Sequence, residues 1–177
     1  MFAVKYVDEQ DAAIRVDVAG VRRGDIARAG LDGRRRVRFD EASVSLDCDH
    51  RASARARGRV GLIAAVIAGV RPDRRYRIRD ADAEIAQVRN VLRWRGGHVA
   101  LTLADGRSWR VYGSGLLPTR LRVECDGVAC GEMQIAGILR AELRTPDLGL
   151  PPLVAIAFGA VVLELWGNDP RAGAGSG

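Results

Sequence analysis

The sequence predicts a mainly β fold, namely a closed antiparallel barrel of about ten to twelve strands around a buried apolar C-terminal helix. Three observations carry this prediction. Short alternating segments recur along the chain, Asp-Gly pairs separate several of them, and one long apolar run follows two prolines near the C-terminus. Closely spaced short strands with turn residues between them are typical of sandwiches and barrels.

Two β-hairpins are predicted most directly. Residues 99–104 and 107–112 are β-prone runs on either side of Asp105-Gly106, and Asp126-Gly127 separates Leu121–Cys125 from a return strand that begins at Val128. Asp-Gly favours a two-residue turn because both central residues need a positive φ. Asp32-Gly33 predicts a third turn. Further strands are expected over Phe2–Val7, Ile14–Val18, Val37–Phe39, Ser43–Leu46, Tyr76–Arg79 and Glu84–Arg89.

An internal repeat links two distant parts of the chain. Residues 14–30 (IRVDVAGVRRGDIARAG) match residues 121–137 (LRVECDGVACGEMQIAG) at seven identical positions, and a shorter echo starts at Tyr76. Each copy has an alternating strand, a glycine turn and a second strand. The repeat therefore predicts two hairpins, with turns at Gly20 and Gly127, in two pseudo-repeated halves of one sheet system.

The apolar run Leu153–Trp166 is predicted to be a buried core helix. Pro151-Pro152 precedes it, Gly167-Asn168 follows it, and Glu164 is its only charged residue. Proline suits a first helical turn, whereas Gly and Asn suit the C-terminal end. A helix of this length reaches about 21 Å, short of the ~30 Å hydrocarbon core. A membrane anchor and a buried pair of strands are the alternatives.

Such a helix fits the predicted barrel. Barrel diameter grows with strand number, and about eight strands are already filled by their own side chains, so a larger barrel leaves room for a helix about 10 Å across. A chain of 177 residues is long enough for one domain. We expect a single domain over residues 1–169 and a disordered tail over residues 170–177.

These elements resemble the tubby C-terminal-like superfamily, which includes the phospholipid scramblases and the plant LURP-one-related proteins. The resemblance rests on YRIRDADAEIAQVR from Tyr76, the hairpins VALTLADGRSWRV and LRVECDGVACGEM, and the ending TPDLGLPPLVAIAFGAVVLELW. It implies a twelve-stranded barrel in two halves, threaded by a late hydrophobic helix with an acid near its end, here Glu164. Tubby domains bind phosphoinositide head groups, and scramblases act at membranes with calcium. This chain lacks the scramblase-like acidic cluster, and no stretch matches the tubby head-group site.

No catalytic motif is present in the sequence. There is no P-loop, dinucleotide fingerprint, HExxH or GxSxG motif, and no Cys/His spacing suits zinc. His50 and His98 are expected on solvated loops. The sequence therefore predicts a non-enzymatic binding module without a cofactor or a metal. Three widely spaced cysteines and the lack of an apolar leader indicate a reduced, cytoplasmic setting, with peripheral membrane association.

Charge position is the main clue to a partner. Thirteen arginines and five acids lie between Arg34 and Arg79, and arginines bracket the apolar segment Val60–Val70. Basic residues beside inserted aliphatic side chains suit an anionic membrane surface. Nucleic acid is a less favoured partner because few aromatic residues accompany the arginines, and a protein-interaction scaffold is the other alternative. Val60–Val70 could instead be a short core helix or strand, with the arginines solvating its ends. The predicted lipid- or anion-binding residues are Arg55, Arg57, Arg59, Arg71, Arg74, Arg75, Leu62 and Ile63.

Overall fold

The computed structural model describes residues 4–8, 13–27, 34–49, 74–91, 98–113, 120–136 and 142–166. Within these ranges the chain forms twelve strands and one helix. The helix, α1, is Pro152–Trp166 and has 15 residues. The strands are β1 (Val4–Asp8), β2 (Ala13–Val18), β3 (Val21–Ala27), β4 (Arg34–Phe39), β5 (Ala42–Asp49), β6 (Arg75–Asp80), β7 (Ala83–Val91), β8 (His98–Leu103), β9 (Ser108–Gly113), β10 (Arg120–Cys125), β11 (Val128–Ala136) and β12 (Glu142–Thr145).

Every strand pair is antiparallel. Strands β1 to β12 pair with their neighbours in sequence, and β1 pairs with both β2 and β12, so that each described strand has two partners. The prediction of a mainly β antiparallel fold with one C-terminal helix is therefore confirmed. Several expected strands and turns can be checked individually, whereas Asp32-Gly33, Val60–Val70 and residues 170–177 lie outside the described residues.

The two ends of the sheet are connected differently. In an antiparallel meander, alternate connections lie at the same end. The turns at residues 19–20, 40–41, 81–82, 104–107 and 126–127 therefore share one end, which we call the turn end. At the opposite end β5 finishes and β6 begins, and we call it the connector end. The chain between these two strands is segment 50–73, which holds most of the predicted membrane-contacting residues.

Two of the predicted turns at the turn end have the expected backbone. Asp126 and Gly127 both have positive φ, 49° and 87°, and Gly106 has a φ of 92°. Ala19 and Gly20 repeat the pattern of the Asp126-Gly127 turn, with φ of 52° and 81°. Positive φ at both central residues matches the right-handed twist of the flanking strands. The hairpins β10–β11 and β2–β3 are thus confirmed, with two-residue turns where the sequence predicts them. The hairpin β8–β9 is confirmed as well, but its turn spans residues 104–107 with a positive φ at Gly106 and not at Asp105, so the two-residue turn expected there is wrong.

The repeated segments form equivalent hairpins. In β2–β3 the register shifts between Val16 and Asp17, and in β10–β11 it shifts at the corresponding repeat positions, between Val123 and Glu124. The echo that starts at Tyr76 forms β6–β7, with the same shift after Ile78. These three hairpins recur at every fourth strand of the pairing order. Two equal halves would instead have placed the first and last hairpins six strands apart.

Helix α1 supplies the centre of the core. From Val154 to Leu165, every residue except Ala155 and Glu164 is buried. The helix contacts β1, β4, β5, β6, β7 and β12, and the inward-facing residues of the sheet join it in one hydrophobic cluster. A helix that is apolar all round requires burial of this kind. Core helix is therefore the correct prediction for residues 153–166, and the alternative of a buried strand pair is wrong.

The approach to α1 is anchored by Trp109 on β9. Its indole is buried, and Nε1 donates a hydrogen bond of 3.1 Å to the carbonyl of Leu148. A buried indole needs such a partner for its one polar group. At the helix start, the amide of Ala155 donates to the carbonyl of Pro151 at 2.9 Å. Residues 146–151 thereby lead the chain from β12 into the core. In the part of the chain described, no helix is both long enough and apolar enough to cross a membrane.

Candidate anion-binding face

The structure describes two of the eight predicted binding residues. Arg74 and Arg75 lie at the start of β6. The other six lie in segment 50–73, outside the described residues. They are Arg55, Arg57, Arg59, Arg71, Leu62 and Ile63. Whether Val60–Val70 is a core element or a membrane-facing segment therefore stays a prediction, and the two described arginines must be considered separately.

Arg74 points inward and is bound within the fold. Its Nη1 donates to Oε1 of Glu164 at 2.8 Å, and Nη2 of Arg35 lies 3.0 Å from the other carboxylate oxygen. The Glu164 side chain is only 8% exposed. A charge at the C-terminal end of a buried helix needs a counter-charge, because an unpaired buried carboxylate is strongly disfavoured. Arg74 is thus a partner of the helix, a role that its sequence position did not predict.

Tyr76 and Cys48 lie beside the ion pair of Arg74 and Glu164. Burial raises the pKa of the Tyr76 hydroxyl, and the nearby Glu164 charge raises that pKa further. Burial also raises the pKa of the Cys48 thiol. Although burial acts to lower the pKa of Arg74, interactions with Tyr76 and Glu164 raise it overall. The cluster therefore holds one carboxylate between two guanidinium groups, with a neutral phenol and a neutral thiol beside them, which is a structural rather than a nucleophilic arrangement.

Arg75 points the opposite way, onto the exposed outer face of the sheet. The registers place Arg75 opposite Arg89, Arg89 opposite Ala100 and Ala100 opposite Arg110. Since paired residues of neighbouring strands project from the same face, these side chains form one row across β6 to β9. We call it the arginine row. Three cations and one small residue occupy adjacent positions in it.

The row ends at an acidic residue on either side, since the registers place Asp49 opposite Arg75 on β5 and Glu124 opposite Arg110 on β10. Neither Arg75 nor Arg110 forms an ion pair with a side chain that the structure describes. Nε of Arg89 donates to Oε1 of Gln87 at 2.7 Å, which is a neutral acceptor. By contrast, neighbouring Arg122 pairs with Glu124 at 2.8 Å, and Arg77 lies 3.8 Å from Glu84. The centre of the row, from Arg89 across Ala100 to Arg110, is therefore cationic, and the nearest acid in the row is Glu124, which pairs with Arg122.

A groove of about 810 Å³ follows the outer face of β7, β8 and β9. Ala100 lines its middle, between Arg89 and Arg110. His98 and Tyr112 lie opposite each other in the next row, with ring centroids 5.3 Å apart. His98 is therefore the first residue of β8, and the prediction that it lies on a loop is wrong. The remaining polar lining residues are Glu84, Gln87, Thr102 and Ser108.

Charge also differs between the two ends of the sheet. Exposed acidic residues are concentrated in and beside the tight turns, whereas exposed arginines occur at both ends; those near the turn end are Arg22, Arg23, Arg38 and Arg107. Two arginines at the turn end are neutralised locally, since Arg23 pairs with Asp40 at 2.6 Å and Arg107 with Asp105 at 2.9 Å. Exposed arginines near the connector end are Arg34, Arg75, Arg89 and Arg120, of which Arg34 lies 3.5 Å from Asp47 and Arg120 lies 3.7 Å from Glu132. Exposed acids at the turn end are Asp40, Glu41, Asp80, Asp82, Asp105 and Asp126.

The described residues contain no group of three or more His, Cys, Asp or Glu side chains arranged to hold a metal ion. Cys48, Cys125 and Cys130 are free thiols. Burial raises the pKa of Cys130, and burial together with Asp126 raises that of Cys125. The chemistry that the described surface can supply is therefore cationic and hydrogen-bonding, concentrated in the arginine row.

Sequence reasoning missed Arg89 and Arg110. Each lies in an alternating strand at an outward position, so its exposure could have been predicted. Their alignment depends on the registers of β7, β8 and β9, which the sequence does not specify. No protein-family model, curated protein or solved structure matches this chain.

Proposed function

We propose that this protein is a non-enzymatic binding module that associates peripherally with anionic membrane surfaces through its connector end. The observation that carries the proposal is the separation of charge along the strands. At the turn end the exposed acids of the tight turns offset the arginines that lie there, whereas the exposed charged residues described near the connector end are arginines. A molecule with this distribution is attracted to a negative surface in one orientation, with the turn end directed away from it.

Segment 50–73 leaves and rejoins the described chain at the connector end. It joins β5 to β6 and carries five arginines and one aspartate around Val60–Val70. Each basic residue near an anionic bilayer contributes about 1 kcal/mol, and this attraction decays over about 8 Å at physiological ionic strength. Arg75 continues this run of charge onto the outer face of the sheet. Leu62 and Ile63 supply the apolar contact in the proposal, so that binding is reversible and dependent on anionic lipid.

The fold proposed for this role is a barrel closed around α1, as in the tubby C-terminal-like superfamily. Its support is the second partner of β1, on β12, and the burial of α1 on all sides. Helix α1 occupies the centre of the hydrophobic core, so the proposal places recognition on the outer surface and at the strand ends. A cytoplasmic location with peripheral membrane association accompanies this proposal.

Co-sedimentation with vesicles tests the proposed function. Binding is expected to phosphatidylcholine vesicles that contain phosphatidylglycerol, to weaken at high salt, and to be lost on phosphatidylcholine alone. Replacing Leu62 and Ile63 by serine should reduce binding to the mixed vesicles. The substitution Arg75→Gln should reduce it as well, whereas Arg22→Gln at the turn end removes the same charge and should have little effect.

Two outcomes would reject the membrane proposal. If neither kind of vesicle binds while single- or double-stranded nucleic acid binds with a steep salt dependence, the partner is a nucleic acid. If Arg22→Gln weakens vesicle binding as much as Arg75→Gln, the association is a diffuse effect of net charge and has no preferred orientation.

A further inference from the structure

The groove on β7, β8 and β9 differs from the connector-end surface in having a defined shape. Ala100 projects outward, because its neighbours Val99 and Leu101 are fully buried. Neighbouring strands are about 4.8 Å apart, which places the backbones of Arg89 and Arg110 about 10 Å from each other. Two long guanidinium side chains therefore flank a position at which the side chain is a single methyl group.

The chemistry around this position suits an anion that accepts several hydrogen bonds. Arg89 and Arg110 each offer a planar array of donors, which favours bidentate contact with phosphate oxygens. Tyr112 and Thr102 add hydroxyl groups to the lining, whereas the Ser108 hydroxyl donates to Oδ1 of Asp126 at 3.2 Å. Within the described lining the one carboxylate is Glu84, and Arg77 lies 3.8 Å from it.

We infer that this groove is a binding site for a single phosphomonoester group, held between Arg89 and Arg110 above Ala100. A phosphomonoester carries a charge of about −1.5 to −2 at neutral pH and three acceptor oxygens, which matches two guanidinium groups and adjacent hydroxyl donors. The inference goes beyond surface association because it assigns a site of fixed geometry on β7, β8 and β9. The same phosphate chemistry occurs in soluble phosphate esters and in the head group of phosphatidic acid.

The test uses glycerol 3-phosphate as the soluble probe, with calorimetry for affinity and backbone amide NMR for location. Binding should shift the amide resonances of Ala100 and Tyr112. Arg89→Gln and Arg110→Gln should each weaken the affinity by at least about tenfold, since a charge-assisted contact is lost. Ala100→Leu leaves the charge unchanged and fills the space between the arginines, and it should abolish binding. Arg38→Gln, an exposed arginine on β4 whose Nε lies 3.5 Å from Asp25, is the matched control and should change affinity by less than about twofold.

Vesicles distinguish the two sources of the phosphate. If phosphatidic acid is the ligand, Ala100→Leu should weaken binding to vesicles containing phosphatidic acid and leave binding to phosphatidylglycerol vesicles unchanged. If the ligand is soluble, Ala100→Leu should abolish glycerol 3-phosphate binding and leave both vesicle types unaffected. Failure to bind glycerol 3-phosphate and indifference of all vesicles to Ala100→Leu would overturn the inference. So would an equal loss of affinity in Arg38→Gln. Retained binding to phosphatidylglycerol vesicles in those cases would leave the proposed function intact.

Discussion

Removing the Glu164 carboxylate should destabilise the fold through the two arginines that it holds. In Glu164→Ala, Arg35 and Arg74 lose their common partner at the C-terminal end of α1. Removing one member of a buried ion pair costs about 3–5 kcal/mol. Both arginine side chains are about one-fifth exposed, 22% and 21%, so water compensates for part of that loss.

A second effect opposes the loss. The carboxylate lies in the last turn of α1, where the helix dipole disfavours a negative charge, so its removal returns about 0.3–1 kcal/mol. The expected net decrease in the free energy of unfolding is therefore about 2–3 kcal/mol. For a chain of this size, that corresponds to a decrease in Tm of about 4–12 °C.

Urea denaturation measured by tryptophan fluorescence is a suitable assay, since Trp109 is buried in the core. Glu132→Ala is the matched control, because Glu132 is 44% exposed and lies 3.7 Å from Arg120; its effect should stay below about 1 kcal/mol. A double-mutant cycle with Arg74→Met should give a coupling of at least about 1 kcal/mol. If Glu164→Ala changes stability by no more than Glu132→Ala, the ion pair does not hold the helix in place.

Three further predictions concern the core and two glycines within strands. Ala157→Arg introduces an unpaired charge at a fully buried helix position and should prevent cooperative unfolding, as seen by loss of near-UV circular dichroism and of a sharp urea transition. The raised pKa of Tyr76 means that the unfolded chain releases this proton near pH 10 while the folded chain retains it, so stability should fall as pH rises above about 10. Tyr76→Phe should flatten that part of the pH profile of urea midpoints, and an unchanged slope would contradict the assignment. At Gly24 an added Cβ would lie 2.2 Å from the backbone carbonyl oxygen of Arg38, whereas at Gly131 it would meet the Pro146 side chain at 2.8 Å. Gly24→Ala should therefore lower the urea midpoint more than Gly131→Ala, because a backbone atom yields less readily than a side chain.

Local sequence patterns predicted much of the fold. The hairpin turns at Gly20, Asp105-Gly106 and Asp126-Gly127 form where glycine permits a positive φ. The runs 76–79 and 84–89 correspond to β6 and β7, and residues 153–166 form a buried helix. These features depend on a few adjacent residues, for which turn chemistry and side-chain alternation are sufficient.

The relative placement of the repeats was less predictable. Sequence similarity showed that β2–β3 and β10–β11 are alike, and their matching register shifts confirm equivalent local structure. The number of strands between them depends on how the intervening chain folds. The echo at Tyr76 supplies a third hairpin of the same kind, so a spacing of four strands describes the arrangement better than two halves.

The candidate site shows the same limit. The charge of the segment predicted the same binding role for Arg74 and Arg75. In the structure Arg74 points inward to Glu164, whereas Arg75 points outward. Alternation along a strand places the two side chains on opposite faces of the sheet. The partner of the inner one, Glu164, lies 90 residues away in the sequence, so its identity depends on tertiary packing. Arg89 and Arg110 were missed for a related reason, since cross-strand registers bring them to either side of Ala100.

The pairing order has a consequence for how the chain folds. Of the strand pairs that the structure describes, all but one join strands that follow each other along the sequence, and these form with little loop-closure entropy. The exception is the seam between β1 and β12, whose partners Val4 and Thr145 are separated by nearly the whole described chain. Helix α1 follows β12 directly, so the last strand and the helix that covers the core arrive together during synthesis. Until then, the nascent sheet exposes its apolar face. The chain is therefore most vulnerable to aggregation before β1 pairs with β12.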